Sequence, residues 1–248
     1  HGDHQTLFFT LKLLQHIRFQ ISEIRFAVLR KAYANFLKKR PVPGYETPYP
    51  DDWYRFQFLS SDWLPDYCLY MAIKEANGMV DWQQWPRALR VREPEALARF
   101  RAEHVEEIEF WAFLQYEFDR QWRSLHAYAK SKGIAIMGDI PIYVSPDSSD
   151  LWTHPELFQT DGQMHLTHVA GCPPDAFAAD GQLWGNPLYD WPAHKATGFD
   201  WWKRRMKHAT SIYDVVRIDH FRGFESYYSI PALSLIHISE PTRHAQIS

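Results

Sequence analysis

Residues 133–139 read Gly-Ile-Ala-Ile-Met-Gly-Asp, a wholly apolar run bounded by a glycine and an aspartate. A long stretch of helical periodicity precedes this run and ends at Gly133. A helix, a glycine and a short apolar strand form the pattern of a parallel sheet buried on both faces. The pattern recurs, since residues 199–211 are helical in period and residues 213–218 form a second apolar strand that ends at Asp219. We therefore predict an α/β fold with an aspartate at the carboxyl end of each strand, where such folds place their sites.

Working outward, three further segments are predicted to be helical from the spacing of their apolar residues. They cover residues 8–40, about 66–76, and 94–132, the last with a bend. A loop is expected at residues 41–50, which contain four prolines. Residues 140–198 show little periodicity, and so long an irregular stretch is unusual in a compact domain. We interpret it as loops over an active site, with a small structural subdomain as the alternative.

Composition excludes several classes of function. The 248 residues are 46% hydrophobic, enough for a sizeable core, and the formal net charge of −3 provides no basic field for nucleic acid. No apolar run approaches the roughly 20 residues of a membrane span. Two cysteines rule out a disulfide framework and favour the cytoplasm. The 13 histidines show no metal-ligand spacing, so we predict no metal site. We also expect no cofactor and infer no protein partner.

The last 16 residues differ in character from the rest. Residues 233–248 read Leu-Ser-Leu-Ile-His-Ile-Ser-Glu-Pro-Thr-Arg-His-Ala-Gln-Ile-Ser. This is the in-frame translation of a transposase-type adapter used in DNA library preparation, followed by an index; a natural amphipathic terminus is the alternative. We therefore predict a partial catalytic domain over residues 1–232 and a non-native tail over 233–248, and expect the native chain to continue beyond Ala232.

The segment with the strongest chemical pattern is residues 216–224, Val-Arg-Ile-Asp-His-Phe-Arg-Gly-Phe. On a strand, Arg217 projects to the same side as Asp219 because side chains alternate with period two. A cation beside a carboxylate keeps it ionised, as a nucleophile must be. The spacing alone also fits an ordinary ion pair at a strand end.

Residues 216–224 resemble the nucleophile strand of glycoside hydrolase family 77, the amylomaltases and plant disproportionating enzymes. The similarity continues, in the order of the family, through residues 63–67, 72–76, 138–144, 147–152 and 181–189. The resemblance implies an incomplete (β/α)8 TIM barrel with helical and loop insertions. It implies a 4-alpha-glucanotransferase of starch and maltodextrin metabolism, which acts on alpha-1,4-glucans by retaining double displacement.

The resemblance also implies roles for individual residues. Asp219 would be the nucleophile, and Arg217 would orient it and keep it charged. Two sets of residues would contact substrate: Asp139 and His220 at the donor sugar, and Asp175, Trp184 and Asn186 at the acceptor side. From the residues alone, Trp184 could instead pack in a loop, Asn186 could form a turn, and Asp139 or Asp175 could cap a helix.

A retaining enzyme needs a second carboxyl group about 5–5.5 Å from the nucleophile. In the family, that glutamate and a further aspartate lie downstream of the nucleophile strand, beyond Ala232 in this numbering. We therefore expect the chain to be inactive by itself. Two alternatives stay open: an alpha-amylase-type hydrolase, which sends the same intermediate to water, and a noncatalytic glucan-binding fragment.

Overall fold

The computed structural model describes residues 24–38, 51–174 and 181–232, and the backbone of residues 244–246. The helices are α1 (24–37), α2 (Asp51–Leu59), α3 (Leu64–Ala76), α4 (Arg87–Arg90), α5 (Pro94–Glu103), α6 (Val105–Ser131), α7 (Ser149–Thr153), α8 (Trp191–Ala196) and α9 (Asp200–Ile212). The strands are β1 (Met137–Pro141), β2 (His168–Cys172), β3 (Gln182–Pro187), β4 (Val215–Asp219), β5 (Ser226–Pro231) and β6 (His244–Gln246).

The helix ends follow from local sequence signals. Helix α3 ends at Asn77, whose side-chain amide donates to the Ile73 carbonyl at 2.8 Å, and Gly78 follows at φ 71°. The predicted helix over residues 94–132 is two helices, because the chain breaks at His104 between α5 and α6. Gly133, at φ 72°, follows α6 as predicted. Residues 8–23 and 39–50 lie outside the described part of the chain.

Aromatic rings from α1, α2 and α6 form much of the helical core. The Phe36 ring lies 5.0 Å from the Phe113 ring, and the Trp53 ring meets the Tyr116 ring edge-on at 5.3 Å. These four side chains are buried. Edge and tilted contacts at this distance are the favourable arrangement for aromatic pairs. Much of the chain's aromatic content therefore belongs to the core.

Strands β1 and β4 pair in parallel, each after a helix, as the repeated pattern predicted. In this register Asp139 lies opposite Arg217 and Pro141 lies opposite Asp219. The pairing brings together two segments 78 residues apart in the chain. It places Asp139, Arg217 and Asp219 on one face of the sheet, because side chains alternate along each strand.

The predicted boundaries and burial of these strands were wrong. Strand β1 begins at Met137, the last of the apolar residues 134–137 that were predicted to form the strand. Asp139 therefore lies within the strand and not after it. Burial alternates along β1, with Gly138 and Ile140 buried while Met137 is 60% exposed. Exposed and buried residues therefore alternate, and one face of β1 is open to solvent in the described part of the chain.

The segment over residues 140–198 is less irregular than the prediction of loops. It contains α7, β2, β3 and α8, and β2 pairs antiparallel with both β3 and β5. The alternative, small elements of its own, is the better description. Polar residues and glycines interrupt both strands, so no alternating pattern marks them in the sequence.

The tail contributes the backbone of β6, which pairs antiparallel with β5. The rest of residues 233–248 lies outside the described residues. The interpretation of this tail as a translated adapter stays a prediction.

Helix α3 is tied to the segment after β1 by an ion pair. The Lys74 ammonium lies 2.5 Å from Asp147 Oδ2, and the Tyr70 hydroxyl donates to Asp147 Oδ1 at 2.5 Å. Burial by itself raises the pKa of Asp147, but the donors Lys74 and Tyr70 outweigh it and hold that pKa below its ordinary value. Asp147 therefore stays ionised and fastens the turn at the end of β1 to the helical core.

Candidate active site

Asp219 is the last residue of β4, and its side chain is exposed at the carboxyl edge of the parallel pair. His220 follows in the left-handed backbone conformation, at φ 53° and ψ 43°. The Gly223 amide donates to the His220 carbonyl at 2.9 Å and closes the turn. Left-handed non-glycine residues are uncommon, and strained conformations of this kind cluster at functional sites. This turn places Asp219 and His220 side by side where the strand ends.

Arg217 and Asp139 form a bidentate ion pair across the two strands. Arg217 Nε donates to Oδ1 of Asp139 at 2.7 Å, and Nη2 donates to Oδ2 at 2.5 Å. These hydrogen bonds and the guanidinium charge lower the pKa of Asp139. Asp139 in turn raises the pKa of Arg217, to which the charge of Asp219 adds a smaller share. Arg217 thus acts electrostatically on both carboxylates.

The sequence placed Arg217 next to Asp219 and did not predict its bidentate pairing with Asp139. Fork-to-fork geometry of this kind is the strong, well-oriented form of an arginine–carboxylate contact. It gives Arg217 a fixed position beside Asp219. The role of Arg217 in orienting Asp219 stays a prediction.

Three aromatic rings form a wall beside Asp219. The Trp184 indole meets the His220 ring edge-on at 5.0 Å, and the Tyr143 ring lies 6.2 Å from His220 and 6.4 Å from Trp184. Trp184 is 38% exposed and Tyr143 is 8% exposed, so an accessible indole is backed by a buried phenol. Burial raises the pKa of Tyr143 to about 12. The wall therefore presents the accessible indole of Trp184 close to His220, the residue that follows Asp219.

Tyr143 was missed as a site residue by the sequence analysis. Its available signal was its place in residues 138–144, two positions after β1 ends. Gly223 was missed as well. A Cβ added there would lie 2.8 Å from Ile142 Cδ1 and 3.1 Å from the His220 ring, so the close approach of the two segments requires glycine.

The structure places the remaining predicted residues unevenly. Asn186, on β3, donates its side-chain amide to the Val144 carbonyl at 2.9 Å, which holds β3 against the segment after β1. This bond is structural, and a substrate contact by Asn186 stays a prediction. Asp175 lies outside the described residues. The edge therefore brings together Asp139, Trp184, Arg217, Asp219 and His220, with Asn186 behind them.

Metal-binding and disulfide chemistry find no support in the described ranges. Those residues contain no group of three or more histidine, cysteine or acidic side chains that could hold a metal ion. Cys68 and Cys172 are free thiols, and burial raises the pKa of Cys68 to about 12. Of the helices described, none combines the length and apolar character needed to cross a membrane.

Comparison with known proteins identifies the family. The family model Glyco_hydro_77, described as 4-alpha-glucanotransferase, matches residues 7–246. The 4-alpha-glucanotransferase of Clostridium butyricum is 44% identical over 206 residues, covering 82% of this chain and 40% of that protein. That of Synechocystis sp. is 47% identical over 205 residues, covering 82% and 40%. The chain therefore spans about 40% of the length of these curated relatives.

A solved structure agrees with this result. The amylomaltase of Streptococcus agalactiae, determined in complex with acarbose, is 44% identical. It superposes with a TM-score of 0.77, covering 85% of this chain and 41% of that one. The similarity in fold and the similarity in sequence therefore lead to the same group of proteins.

Proposed function

Because the chain belongs to the 4-alpha-glucanotransferases of glycoside hydrolase family 77, we propose that it carries the nucleophile side of a site that transfers alpha-1,4-glucan segments between maltooligosaccharides. The observation that supports this most directly is the exposed carboxylate of Asp219. It lies at the carboxyl edge of β4, beside the Arg217–Asp139 pair and the wall of Trp184 and His220. The apolar face of a sugar ring can pack on the exposed indole while its hydroxyls reach the charged groups.

In the proposed reaction, Asp219 attacks the anomeric carbon of the donor glucan. A bond forms from the carboxylate oxygen to that carbon, and the bond to the leaving glucan oxygen breaks. The hydroxyl of an acceptor glucan then displaces Asp219 and restores its carboxylate, giving its proton to the same carboxyl group that protonated the leaving oxygen. Two inversions give net retention. Arg217 orients Asp219 for the first step, and Asp139 accepts hydrogen bonds from the donor sugar.

The general acid that protonates the leaving oxygen has to be another carboxyl group. Asp139 is unsuited, because Arg217 lowers its pKa and keeps it ionised. We propose that this task falls to a residue in the part of the relatives' length that the chain does not span. We accordingly propose that the 248-residue chain binds glucans but does not turn over natural ones by itself.

The same proposal extends to the architecture and location. We assign β1 and β4 as two strands of a (β/α)8 barrel, with the sheet of β2, β3 and β5 as an insertion at its carboxyl edge. The parallel pairing with a helix before each strand supports this assignment. We place the protein in the cytoplasm, in keeping with its two free thiols.

An activated donor tests the nucleophile without a general acid. Fluoride leaves without protonation, so α-maltotriosyl fluoride should glycosylate Asp219 in the chain as it stands. We expect mass spectrometry of peptides to find one maltotriosyl adduct on Asp219. The variant Asp219→Asn should form none, whereas the matched control Asp200→Asn, an exposed aspartate on α9, should react like the wild type.

The outcomes separate the competing functions. The adduct on Asp219 should persist, because the second step needs the carboxyl group that the chain lacks; slow transfer to added maltotriose supports a transferase, and slow release to water alone supports a hydrolase. Calorimetric binding of maltotriose without any adduct would show a noncatalytic glucan-binding chain and contradict the assignment of Asp219. If the chain neither binds maltotriose nor forms the adduct, the proposed function is rejected altogether.

A further inference from the structure

Arg205, on helix α9, contacts the carboxyl end of β1 and not an acidic side chain. Its Nη2 donates to the Pro141 carbonyl at 2.7 Å, and its Nη1 donates to the Ile142 carbonyl at 3.2 Å. The Trp201 and Trp202 rings lie beneath its guanidinium carbon, with centroids at 5.2 and 5.1 Å. Contacts of this kind with aromatic faces favour a cation at that position.

Tyr189 reinforces the same clamp. Its buried hydroxyl donates to the Ile142 carbonyl at 2.5 Å, and Arg205 Nη1 lies 3.5 Å from that hydroxyl. Burial raises the pKa of Tyr189, so the hydroxyl keeps its proton and remains a donor. The Ile142 carbonyl thus accepts from two side chains that come from different parts of the chain.

These carbonyls lie where β1 ends and regular strand pairing stops. A buried backbone carbonyl outside regular strand pairing needs another donor, and this applies to Ile142, which is buried, whereas Pro141 is exposed. A planar guanidinium can serve two successive carbonyls from two separate nitrogens held in a fixed fork, whereas the donors of an ammonium all radiate from one nitrogen. Arg205 therefore donates hydrogen bonds to the backbone carbonyls at the end of β1, as a neighbouring strand does along the length of a strand.

The clamp bears directly on the site. Pro141 is the register partner of Asp219, and Tyr143 is the next residue after Ile142. The Tyr143 ring stacks at 24° and 6.3 Å on the Tyr189 ring, and on its other sides it backs His220 and Trp184. Movement of the β1 end would shift the wall relative to Asp219.

We propose that Arg205 is a positioning residue for the active site, acting through the Pro141 and Ile142 carbonyls to hold Tyr143, and with it the Trp184–His220 wall, in place beside Asp219. This inference rests on the proposed function for the identity of the ligand, a maltooligosaccharide. The inferred effect of Arg205 on the geometry of the wall is independent of that function.

Two arginine variants and one matched control test the proposal. Arg205→Gln removes the charge and one of the two donor nitrogens. Arg205→Lys keeps the charge but has a single donor nitrogen, which can serve the Pro141 carbonyl. Arg204→Gln changes the exposed neighbour on the same helix. Each is labelled with 5-fluorotryptophan, and the Trp184 resonance is assigned by its loss in Trp184→Phe. The rate of adduct formation from α-maltotriosyl fluoride at saturation, the Kd for maltotriose and urea unfolding are then measured.

We expect Arg205→Gln to shift the Trp184 fluorine resonance and to slow adduct formation about 10- to 100-fold, with a smaller change in Kd, since misplacement of this size affects the reacting geometry most. Arg205→Lys should recover part of the rate, and Arg204→Gln should match the wild type. The proposal is overturned if Arg205→Gln lowers only stability and leaves both the resonance and the rate unchanged.

Two further outcomes remain informative. If Arg205→Gln does not fold, Tyr189→Phe removes one donor to the Ile142 carbonyl and keeps the ring; an unshifted Trp184 resonance in that variant would overturn the clamp. If the wild type forms no adduct, the proposed function fails, yet the Trp184 resonance still reports whether Arg205 sets the position of the wall.

Discussion

Removing Asp147 is expected to destabilise the protein more than removing its partner Lys74. The Lys74 side chain is 11% exposed and the Asp147 side chain is 32% exposed, so the two charges differ in their access to water. In Asp147→Ala the ammonium stays buried, with the Val80 carbonyl 3.1 Å away as a neutral acceptor. In Lys74→Met the carboxylate keeps the Tyr70 hydroxyl and gains water.

The magnitudes follow from the cost of an unpaired buried charge. Breaking a fully buried pair from one side costs about 3–5 kcal/mol, and the partial exposure of Asp147 reduces this to about 2–3 kcal/mol for Asp147→Ala. Lys74→Met should cost about 1–2 kcal/mol, because it removes one charge-assisted hydrogen bond and leaves a carboxylate that water reaches. Asp147→Ala should thus lower Tm by about 4–12 °C in a chain of this size.

Urea unfolding followed by circular dichroism at pH 7 measures both values. The double variant Lys74→Met/Asp147→Ala should cost less than the sum of the two single variants, because the partners interact directly. Since the pairing lowers the pKa of Asp147 below its ordinary 3.8, its contribution is present above that pH and is lost as pH falls through the lowered value. A Lys74→Met variant at least as destabilised as Asp147→Ala would refute the reasoning.

Four further predictions follow from single features. Gly138→Ala would place a Cβ 2.2 Å from the Tyr213 ring and should lower the free energy of unfolding in urea by about 1–3 kcal/mol. Adding Tyr213→Leu should relieve this clash. Full stability of the single variant would contradict the packing. Burial lowers the pKa of His194 below 6.5, so the neutral side chain stabilises the fold above pH 6.5 and this contribution is lost as the pH falls. The free energy of unfolding of His194→Phe should therefore decrease less between pH 7.5 and 5.5 than that of the wild type. Equal decreases would reject this role. Leu125, which is 54% exposed on α6, should promote self-association, so Leu125→Glu should raise the monomer fraction in sedimentation; a wild type that is already monomeric would contradict this prediction. Adapter-trimmed re-sequencing of the parent DNA should replace residues 233–248 with a frame encoding a strand that ends in glutamate, whereas a stop codon directly after residue 248 would count against the adapter.

Much of the fold was predictable because its signals are local. The caps Asn77 and Gly78, the stop at Gly133 and the helical period of α9 each depend on a few neighbouring residues. The boundaries of β1 were wrong for the same reason. A run of apolar residues shows that a strand is near, but the hydrogen-bonding partner decides where the strand begins, and that partner lies on β4.

The candidate site divides in a similar way. Asp219, Trp184 and His220 were selected by motif, and the structure brings them to one edge. Residues that act through packing carried weaker signals: Tyr143 and Arg205 look like ordinary members of a loop and a helix. Their importance appears only when the β1 end, β3 and α9 are seen together.

By itself, the sequence determined the type and order of the main elements, the parallel relation of β1 and β4, and the family. Periodicity, caps and motifs are properties of short segments, and these conclusions require nothing more. The tertiary structure alone decided that Arg217 pairs with Asp139, that Lys74 holds Asp147, and that Arg205 caps β1. Which charges meet depends on register and on the packing of segments 63 to 78 residues apart, and no local pattern in one chain encodes those distances.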